Sequence, residues 1–155
     1  MEGPKRHRGH RRVREAAAAG YTTEPSEPGL TGVLLDSDVI LDALRGRGQA
    51  SRRLIELAER GIPTYTTAIS WAEVYAGIRA GEEFLTQGFF EARGDVLLDG
   101  IAGRRAGSYL ARYSKSHGLG IADALIAAAA TTSGLWLWTM NRRHYPMSDV
   151  LFYEP

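Results

Sequence analysis

The sequence predicts an α/β fold, a three-layer α/β/α sandwich around a central, mainly parallel sheet. Short apolar runs of strand length alternate with segments of helical periodicity from residue 33 to residue 155. Strands that alternate with helices are typical of parallel βαβ units, which bury the sheet between two helical layers. An apolar fraction of 44% is enough for the packed core of one domain.

The first elements are marked by local signals. Val33-Leu34-Leu35 is a short apolar run, and the acidic residues that follow it are typical helix caps. A helix is predicted over 39–45, and it ends near Gly46. In residues 49–60 the apolar positions fall on one helical face, and Gly61 follows as a stop signal.

The remaining elements continue the alternation. Strands are predicted where β-branched, aromatic or aliphatic residues form short runs, at 64–67, 95–98, 135–139 and 150–152. Helices are predicted where apolar residues recur at helical spacing, at 68–79, 82–93, 101–117 and 123–132. The last of these helices is almost wholly apolar, so we expect it to be buried.

Residues 1–31 are predicted to be a flexible, basic and Pro/Gly-rich N-terminal extension to a domain over 32–155. Six of the first fourteen residues are Lys or Arg, a composition that cannot bury enough apolar area to order itself. The extension is a solvated tail or an over-long start, or alternatively a basic arm that contacts RNA phosphates. It lacks the apolar core of a signal peptide.

Charge and composition narrow the classes of function. Residues 32–155 contain thirteen Lys or Arg and fourteen Asp or Glu, so bulk charge does not indicate nucleic-acid binding and any such site has to be local. The sequence contains no cysteine, which excludes disulfides and thiolate metal sites. It has no run long enough to span a membrane, and we expect a cytoplasmic protein.

Four polar residues stand where a site would form in such a sheet. Asp36 ends the first strand, Glu73 lies in the helix after the second strand, Asp123 opens the apolar helix, and Asn141 follows the strand 135–139. Ligands of open parallel sheets bind beyond the carboxyl ends of the strands. We therefore predict that these residues converge on one edge of the sheet.

Each residue also has an ordinary structural interpretation. Asp36, Asp38 and Asp123 are good helix caps, Glu73 suits an exposed helix face, and Asn141 suits a turn. The apolar neighbours of Glu73 and Asp123 argue against this, because an unpartnered carboxylate in apolar surroundings is unfavourable. Carboxylates that share a pocket repel one another unless a cation joins them. Oxygen ligands without cysteine predict Mg²⁺, for which Mn²⁺ can substitute.

The stretches around these residues resemble the PIN-domain nucleases, and among them the VapC toxins of type II (VapBC) toxin–antitoxin systems. Four motifs occur in the order and spacing of that family: VLLDSDVILDAL, AISWAEVYAGI, GLGIADALIAAAA and LWTMNRRHYP. Two positions depart from the pattern. Asp38 stands where Asn or a small residue is usual, and Asn141 stands where many PIN nucleases have a fourth Asp.

The resemblance implies a metal-dependent endoribonuclease that leaves a 5′-phosphate and a 3′-hydroxyl. It implies Asp36, Glu73 and Asp123 as metal ligands, Asn141 as the residue that completes the catalytic set, and Ser37, Asp38 and Thr139 as supporting residues. The implied partners are an RNA substrate, a VapB-like antitoxin and a second copy in a homodimer. Possible RNA contacts are Arg142 and Arg143, which adjoin Asn141, and Arg112; solvated helix faces are the alternative.

Two other functions remain open at this point. One is a degenerate PIN module that binds RNA or protein without cleavage. The other is a haloacid-dehalogenase-like phosphatase that uses Asp36-Ser37-Asp38, although Ile40 stands where that family requires Thr. The aromatic residues of the middle region line a partner groove or the core; they are Trp71, Tyr75, Phe84, Phe89 and Phe90.

Overall fold

Four strands and six helices alternate along the chain in the computed structural model, which describes residues 29–46 and 48–155. The strands are β1 (Val33–Leu35), β2 (Thr64–Thr67), β3 (Gly94–Val96) and β4 (Trp136–Trp138). The helices are α1 (Ser37–Arg45), α2 (Ala50–Glu59), α3 (Ala68–Ala76), α4 (Glu83–Glu91), α5 (Gly100–His117) and α6 (Ile121–Ser133), followed by a 3₁₀ turn (Arg142–His144). The predicted extension falls outside the described residues except for 29–31.

The sheet is parallel throughout, and its strands lie in the order β3-β2-β1-β4. Val33 in β1 is in register with Thr64 on one side and with Trp136 on the other. The fold class predicted from the sequence is therefore confirmed. Because β1 is an interior strand and all three of its residues are buried, whatever follows it lies at the middle of the carboxyl edge.

Alternate side chains of β1 enter two separate cores, as the period of a strand requires. Leu34 belongs to the core under α5 and α6, whereas Val33 and Leu35 belong to the core under α1 and α2. The α6 helix contributes four consecutive buried alanines, residues 127–130, whose small side chains let it pack closely. The two cores therefore lie between the sheet and its two helical layers, one on each face.

The predicted strand at 150–152 is wrong for all but one residue. A single parallel bridge joins Phe152 to Leu137, supported by two backbone hydrogen bonds of 2.8 and 2.9 Å. The chain before it does not follow the sheet edge, because Tyr145, Met147 and Val150 are buried in the α5–α6 core. The apolar side chains of this segment therefore pack in the core, and the segment does not form a strand.

Other element boundaries differ from the prediction by a few residues. The α3 helix ends at Ala76, and β3 ends at Val96, before Asp99 caps α5 through hydrogen bonds to two backbone N–H groups at 2.9 and 3.0 Å. The chain must leave the sheet to reach this cap, and Leu97 is 81% exposed as a result. In the described part of the chain, no helix is long and apolar enough to cross a membrane.

Candidate active site

Asp36 lies at the centre of the carboxyl edge of the sheet and is both a helix cap and a member of a polar cluster. It is the N-cap of α1, and its Oδ1 accepts a 2.8 Å hydrogen bond from the Ser37 N–H. Its Oδ2 accepts a 2.8 Å hydrogen bond from the Tyr145 hydroxyl. The side chain is only 6% exposed. The cap interpretation is thus correct for Asp36, but it accounts for one oxygen only.

Ser37 links Asp36 to Glu73 on the neighbouring helix. Its hydroxyl donates to Glu73 Oε2 and lies 3.4 Å from Asp36 Oδ1. The α3 helix is held in place by Ser70, whose hydroxyl donates to the Leu35 carbonyl at 3.4 Å, just before Asp36. The supporting role of Ser37 remains a prediction, and these contacts place its hydroxyl between the two acids.

Glu73 is exposed, so the expectation that its carboxylate lies in an apolar setting is wrong. Consecutive residues of a helix point about 100° apart, so apolar neighbours in sequence do not surround it in space. Val74 is buried, whereas Tyr75 is exposed like Glu73. The Ser37 hydroxyl donates a hydrogen bond to Glu73 and so connects Glu73 to the site.

Asp123 lies in the first turn of α6, and Gly120 is the N-cap of that helix, so the cap interpretation of Asp123 is wrong. Partial burial and the negative charge of Asp36 raise the pKa of Asp123, and nearby His144 opposes this rise. The His144 Nδ1 lies 3.6 Å from Asp123 Oδ2. An acid near the N-terminus of a helix is also favoured by the helix dipole.

Asp38 lies in the first turn of α1 and contacts the loop that follows β4. Its Oδ2 accepts hydrogen bonds from the Met140 N–H at 3.0 Å, the Asn141 side-chain amide at 3.2 Å and the Thr139 hydroxyl at 3.4 Å. Its Oδ1 is buried and has no hydrogen-bond partner among the described residues. Burial and the charge of Asp36 raise the pKa of Asp38, which the Met140 N–H partly offsets.

Asn141 and Thr139 therefore reach the cluster through Asp38. The amide nitrogen of Asn141 faces the Asp38 carboxylate, and the Thr139 hydroxyl accepts a 3.0 Å hydrogen bond from the Asn141 N–H. The structure thus brings the fourth motif against the first. An acid in the first motif stands beside an amide in the fourth, which matches the two departures noted in the sequence.

Tyr145 and His144 are the residues of the cluster to which the sequence assigned no role. Tyr145 is 4% exposed, and its burial, followed by the charge of Asp36, raises the pKa of its hydroxyl well above the usual range. Both residues lie in the fourth motif, LWTMNRRHYP, next to its last residue, so the motif contained the signal. Spacing alone did not show that they turn back toward Asp36 and Asp123.

The donor chemistry of the cluster fits a divalent cation. In the described residues no three acidic or imidazole groups already form a compact metal shell. However, Mg²⁺ retains several waters and needs only one or two carboxylates directly. The unpartnered Oδ1 of Asp38 and the raised pKa values of Asp38 and Asp123 both indicate negative charge that lacks compensation.

The arginines predicted to contact RNA have different surroundings. Arg142 pairs with Glu154 and its guanidinium carbon lies 4.4 Å from the centre of the Phe152 ring. Arg112 on α5 lies over the ring of Tyr113 at 5.2 Å, and Arg143 is exposed beside Asn141. All three arginines are exposed, and their assignments as RNA contacts remain predictions.

The aromatic residues of the middle region divide between the two interpretations. Phe90 is buried and stacks on Trp71 with ring centres 4.2 Å apart, so these rings are core. Phe84 is 86% exposed and is available for an interface.

Residues 33–149 match the PIN domain family. Two curated relatives from Mycobacterium tuberculosis are similar over most of their length. Ribonuclease VapC10 is 34% identical over 120 residues, which cover 77% of this chain and 90% of the relative. Ribonuclease VapC19 is 35% identical over 115 residues, which cover 74% of this chain and 92% of the relative.

Solved structures agree with the fold. DNA-bound VapBC from Salmonella typhimurium superposes with a TM-score of 0.66 at 21% identity, covering 79% of this chain and 96% of that chain. VapBC2 from Rickettsia felis, bound to a DNA fragment from its promoter, gives a TM-score of 0.65 at 17% identity and covers 78% of this chain and 96% of that chain. The family match leaves the phosphatase interpretation without support. The chain belongs to the PIN domain family, and its similarity within that family is to the VapC ribonucleases.

Proposed function

We propose that this protein is a magnesium-dependent endoribonuclease and the toxin of a type II toxin–antitoxin pair. The observation that carries the proposal is the convergence of Asp36, Glu73 and Asp123 at the carboxyl edge of the sheet in a PIN chain. The curated relatives are named ribonucleases, which supports RNA as the substrate.

The three acids would hold the cation, with Mn²⁺ as a substitute for Mg²⁺. A bound divalent cation lowers the pKa of the attacking water and offsets charge on the phosphoryl oxygens. Asp36 is the most fixed of the acids, because each of its oxygens accepts a short hydrogen bond. Glu73 is exposed and reaches the site from the neighbouring helix α3, where its exposure would let it adjust to substrate.

The residues around the acids would orient them. Ser37 holds Glu73 toward Asp36, and His144 in its protonated form favours the ionised state of Asp123. Asp38 fixes the loop that contains Thr139 and Asn141, so that Asn141 completes the catalytic set through its amide. The products would be a 5′-phosphate and a 3′-hydroxyl.

The proposed partners follow from the same relatives. Two solved neighbours are VapBC complexes, which supports a VapB-like antitoxin as a partner. A homodimer is supported by exposed apolar side chains on α4, after β3 and on α5, at Phe84, Leu85, Leu97 and Ile101. Arg143, Arg112 and Arg142 are proposed as phosphate contacts, and Arg142 would have to exchange Glu154 for RNA.

Two further proposals concern the whole chain. Residues 1–31 would be a flexible extension to the domain over 32–155, a boundary next to residue 33, where the PIN match begins. The protein would act in the cytoplasm, where an RNA substrate is available.

The experiment that tests the activity is an RNA cleavage assay with purified full-length protein. Total cellular RNA is incubated with Mg²⁺, with Mn²⁺ or with EDTA, and the 5′ ends of the products are sequenced. We expect discrete new 5′-phosphate ends with either cation and none in EDTA. RNA that is bound but left intact under both cations would overturn the nuclease and favour the degenerate PIN module.

A further inference from the structure

We propose that Tyr145 is a positioning residue that sets the cation selectivity of the acidic site. Its hydroxyl holds Asp36 in an orientation that offers one oxygen to a cation, which favours Mg²⁺ or Mn²⁺ over Ca²⁺. The inference rests on the proposed metal-dependent function and assigns one of its properties to a single hydroxyl group.

The hydrogen bond from Tyr145 to Asp36 is buried at both ends. The Tyr145 hydroxyl lies 2.8 Å from Asp36 Oδ2, and the two residues are 4% and 6% exposed. The Tyr145 ring packs against Phe152 in a T-shaped arrangement with ring centres 6.4 Å apart. The ring is thereby fixed independently of its hydroxyl, so that removal of the hydroxyl should leave the ring in place.

The backbone also fixes the position of Tyr145. The 3₁₀ turn over Arg142–His144 is closed by hydrogen bonds from the His144 N–H to the Asn141 carbonyl at 2.9 Å and from the Tyr145 N–H to the Arg142 carbonyl at 3.0 Å. Asn141 is itself bound to Asp38. The phenol is therefore presented to Asp36 by a turn that is anchored at both ends.

Both oxygens of Asp36 are engaged by donors that come from different elements. Oδ1 accepts from the Ser37 N–H in α1, and Oδ2 accepts from Tyr145 after β4. Rotation of the carboxylate about its own axis would break at least one of these bonds. The bond from Tyr145 is buried, and a buried donor left without a partner costs about 1–3 kcal/mol. Asp36 is thus held in one orientation before any cation arrives.

This restraint affects cations of different size unequally. Ca²⁺ takes about 6–8 oxygen ligands and readily binds both oxygens of one carboxylate, whereas Mg²⁺ requires near-ideal octahedral geometry and retains several waters. A carboxylate that cannot turn both oxygens to one ion satisfies Mg²⁺ and under-coordinates Ca²⁺. The Tyr145 hydroxyl therefore penalises Ca²⁺ more than Mg²⁺.

The chain contains a matched control for this bond. Tyr109 in α5 is 6% exposed, and its hydroxyl donates to Asp149 Oδ2 at the same distance, 2.8 Å. Asp149 is not among the acids that act on Asp123, Asp38 or Tyr145. Tyr109→Phe therefore removes the same chemical group from a bond of equal length outside the acidic site, although Asp149 is half-exposed and is also paired with Arg105.

The test compares cation binding by the wild-type chain, Tyr145→Phe and Tyr109→Phe. Mg²⁺, Mn²⁺ and Ca²⁺ are titrated separately by isothermal calorimetry, and the ratio of the Ca²⁺ Kd to the Mg²⁺ Kd is measured for each protein. We expect this ratio to fall about tenfold in Tyr145→Phe, within the range for residues that orient metal ligands, and to stay at the wild-type value in Tyr109→Phe. An unchanged ratio in Tyr145→Phe, or an equal fall in both variants, overturns the proposal.

A second variant keeps the test valid if Tyr145→Phe does not fold. Replacement of Tyr145 by 3-fluorotyrosine keeps the shape and makes the hydroxyl a stronger donor, so the preference for Mg²⁺ has to rise. A preference that falls or stays constant contradicts the proposal. Cation titration does not depend on RNA cleavage, so a wild-type protein that binds Mg²⁺ but leaves RNA intact overturns the nuclease alone.

Discussion

Two tyrosine–aspartate hydrogen bonds of equal length tie the segment after β4 to the rest of the domain. Tyr145 donates to Asp36 and Tyr109 donates to Asp149, both at 2.8 Å. Their electrostatic surroundings are opposite. Asp149 Oδ2 also lies 3.2 Å from the Arg105 guanidinium, whereas in the described part of the chain no Lys or Arg forms an ion pair with Asp36.

This difference separates the Tyr109–Asp149 bond, which we call the structural clip, from the Tyr145–Asp36 bond at the candidate site. At Asp149 the negative charge is compensated within the chain, so the bond needs nothing further. The ionisable neighbours of Asp36 include further acids, and its charge contributes to the raised pKa values of Asp38 and Asp123. Acids held together in partly buried surroundings are unfavourable unless a cation joins them. The lack of a paired Lys or Arg at Asp36 among the described residues therefore supports our proposal that the acidic cluster is the cation site.

The largest expected effect comes from neutralising Asp36, compared with the same change at Asp149. Asp36→Asn should reduce RNA cleavage by about 1,000-fold or more, because it removes a charge from the group that holds the cation. Asp149→Asn is the control and should leave the cleavage rate within about threefold of wild type, because surface ion pairs contribute little. Initial rates on one RNA substrate measure both. Equal losses in the two variants would show that Asp36 is merely structural.

The next effect is on stability and concerns cation binding by the acidic cluster. At roughly a hundred times its Kd, Mg²⁺ should stabilise the wild-type protein by about 2.7 kcal/mol, which is a rise in Tm of roughly 8–12 °C. Asp36→Asn should lose most of this rise, and Asp149→Asn should retain it. Thermal melts with and without EDTA provide the measurement. A rise in Tm of the same size in Asp36→Asn would mean that the cation binds outside the acidic cluster.

The sequence was sufficient to predict the position of Asp36 and the layered fold, for a physical reason. A buried strand of period two that ends in a cap residue constrains both its own place in the sheet and the residue after it. Val33, Leu34 and Leu35 divide between the two cores in that manner, and Asp36 follows at the centre of the edge. The order of the helices then follows from the short connections between them.

The rest of the site depends on side-chain directions and long-range contacts that sequence spacing does not encode. Glu73 has apolar neighbours in sequence and yet is exposed, because a helix turns them away from it. Tyr145 reaches Asp36 only because a 3₁₀ turn reverses the chain after β4. Phe152 makes one bridge to the sheet because the preceding apolar residues are drawn into the α5–α6 core. These cases are decided by helix geometry, by a turn and by core packing, respectively.

A smaller effect tests whether the clip at Asp149 is structural alone. Tyr109→Phe should lower the free energy of unfolding by about 1 kcal/mol, or roughly 3–5 °C in Tm, because Asp149 keeps Arg105 as a partner. The cleavage rate should not change. Urea unfolding and the RNA assay on the same preparation supply the two readouts. A variant with wild-type stability and impaired cleavage would place Tyr109 in the functional site instead.

The smallest expected effect reverses the usual sign of a mutation. Burial, followed by the charges of Asp36 and Glu73, raises the pKa of Asp123, while His144 and Tyr145 oppose this. A raised pKa means that the folded state holds the proton more tightly than the unfolded state. The contribution of Asp123 to stability is therefore greatest below its unfolded pKa, about 3.9, and declines as pH rises through that value to the raised folded pKa.

In EDTA at pH 8, Asp123→Asn should therefore melt above wild type. The gain should be roughly 1–2 °C, because solvent screens a half-exposed carboxylate, and it should vanish below about pH 4. Saturating Mg²⁺ should reverse the order, because only the wild-type acid contributes its charge to the cation. A variant that melts below wild type in both EDTA and Mg²⁺ at pH 8 would mean that Asp123 is stabilised by its surroundings, as Asp149 is by Arg105.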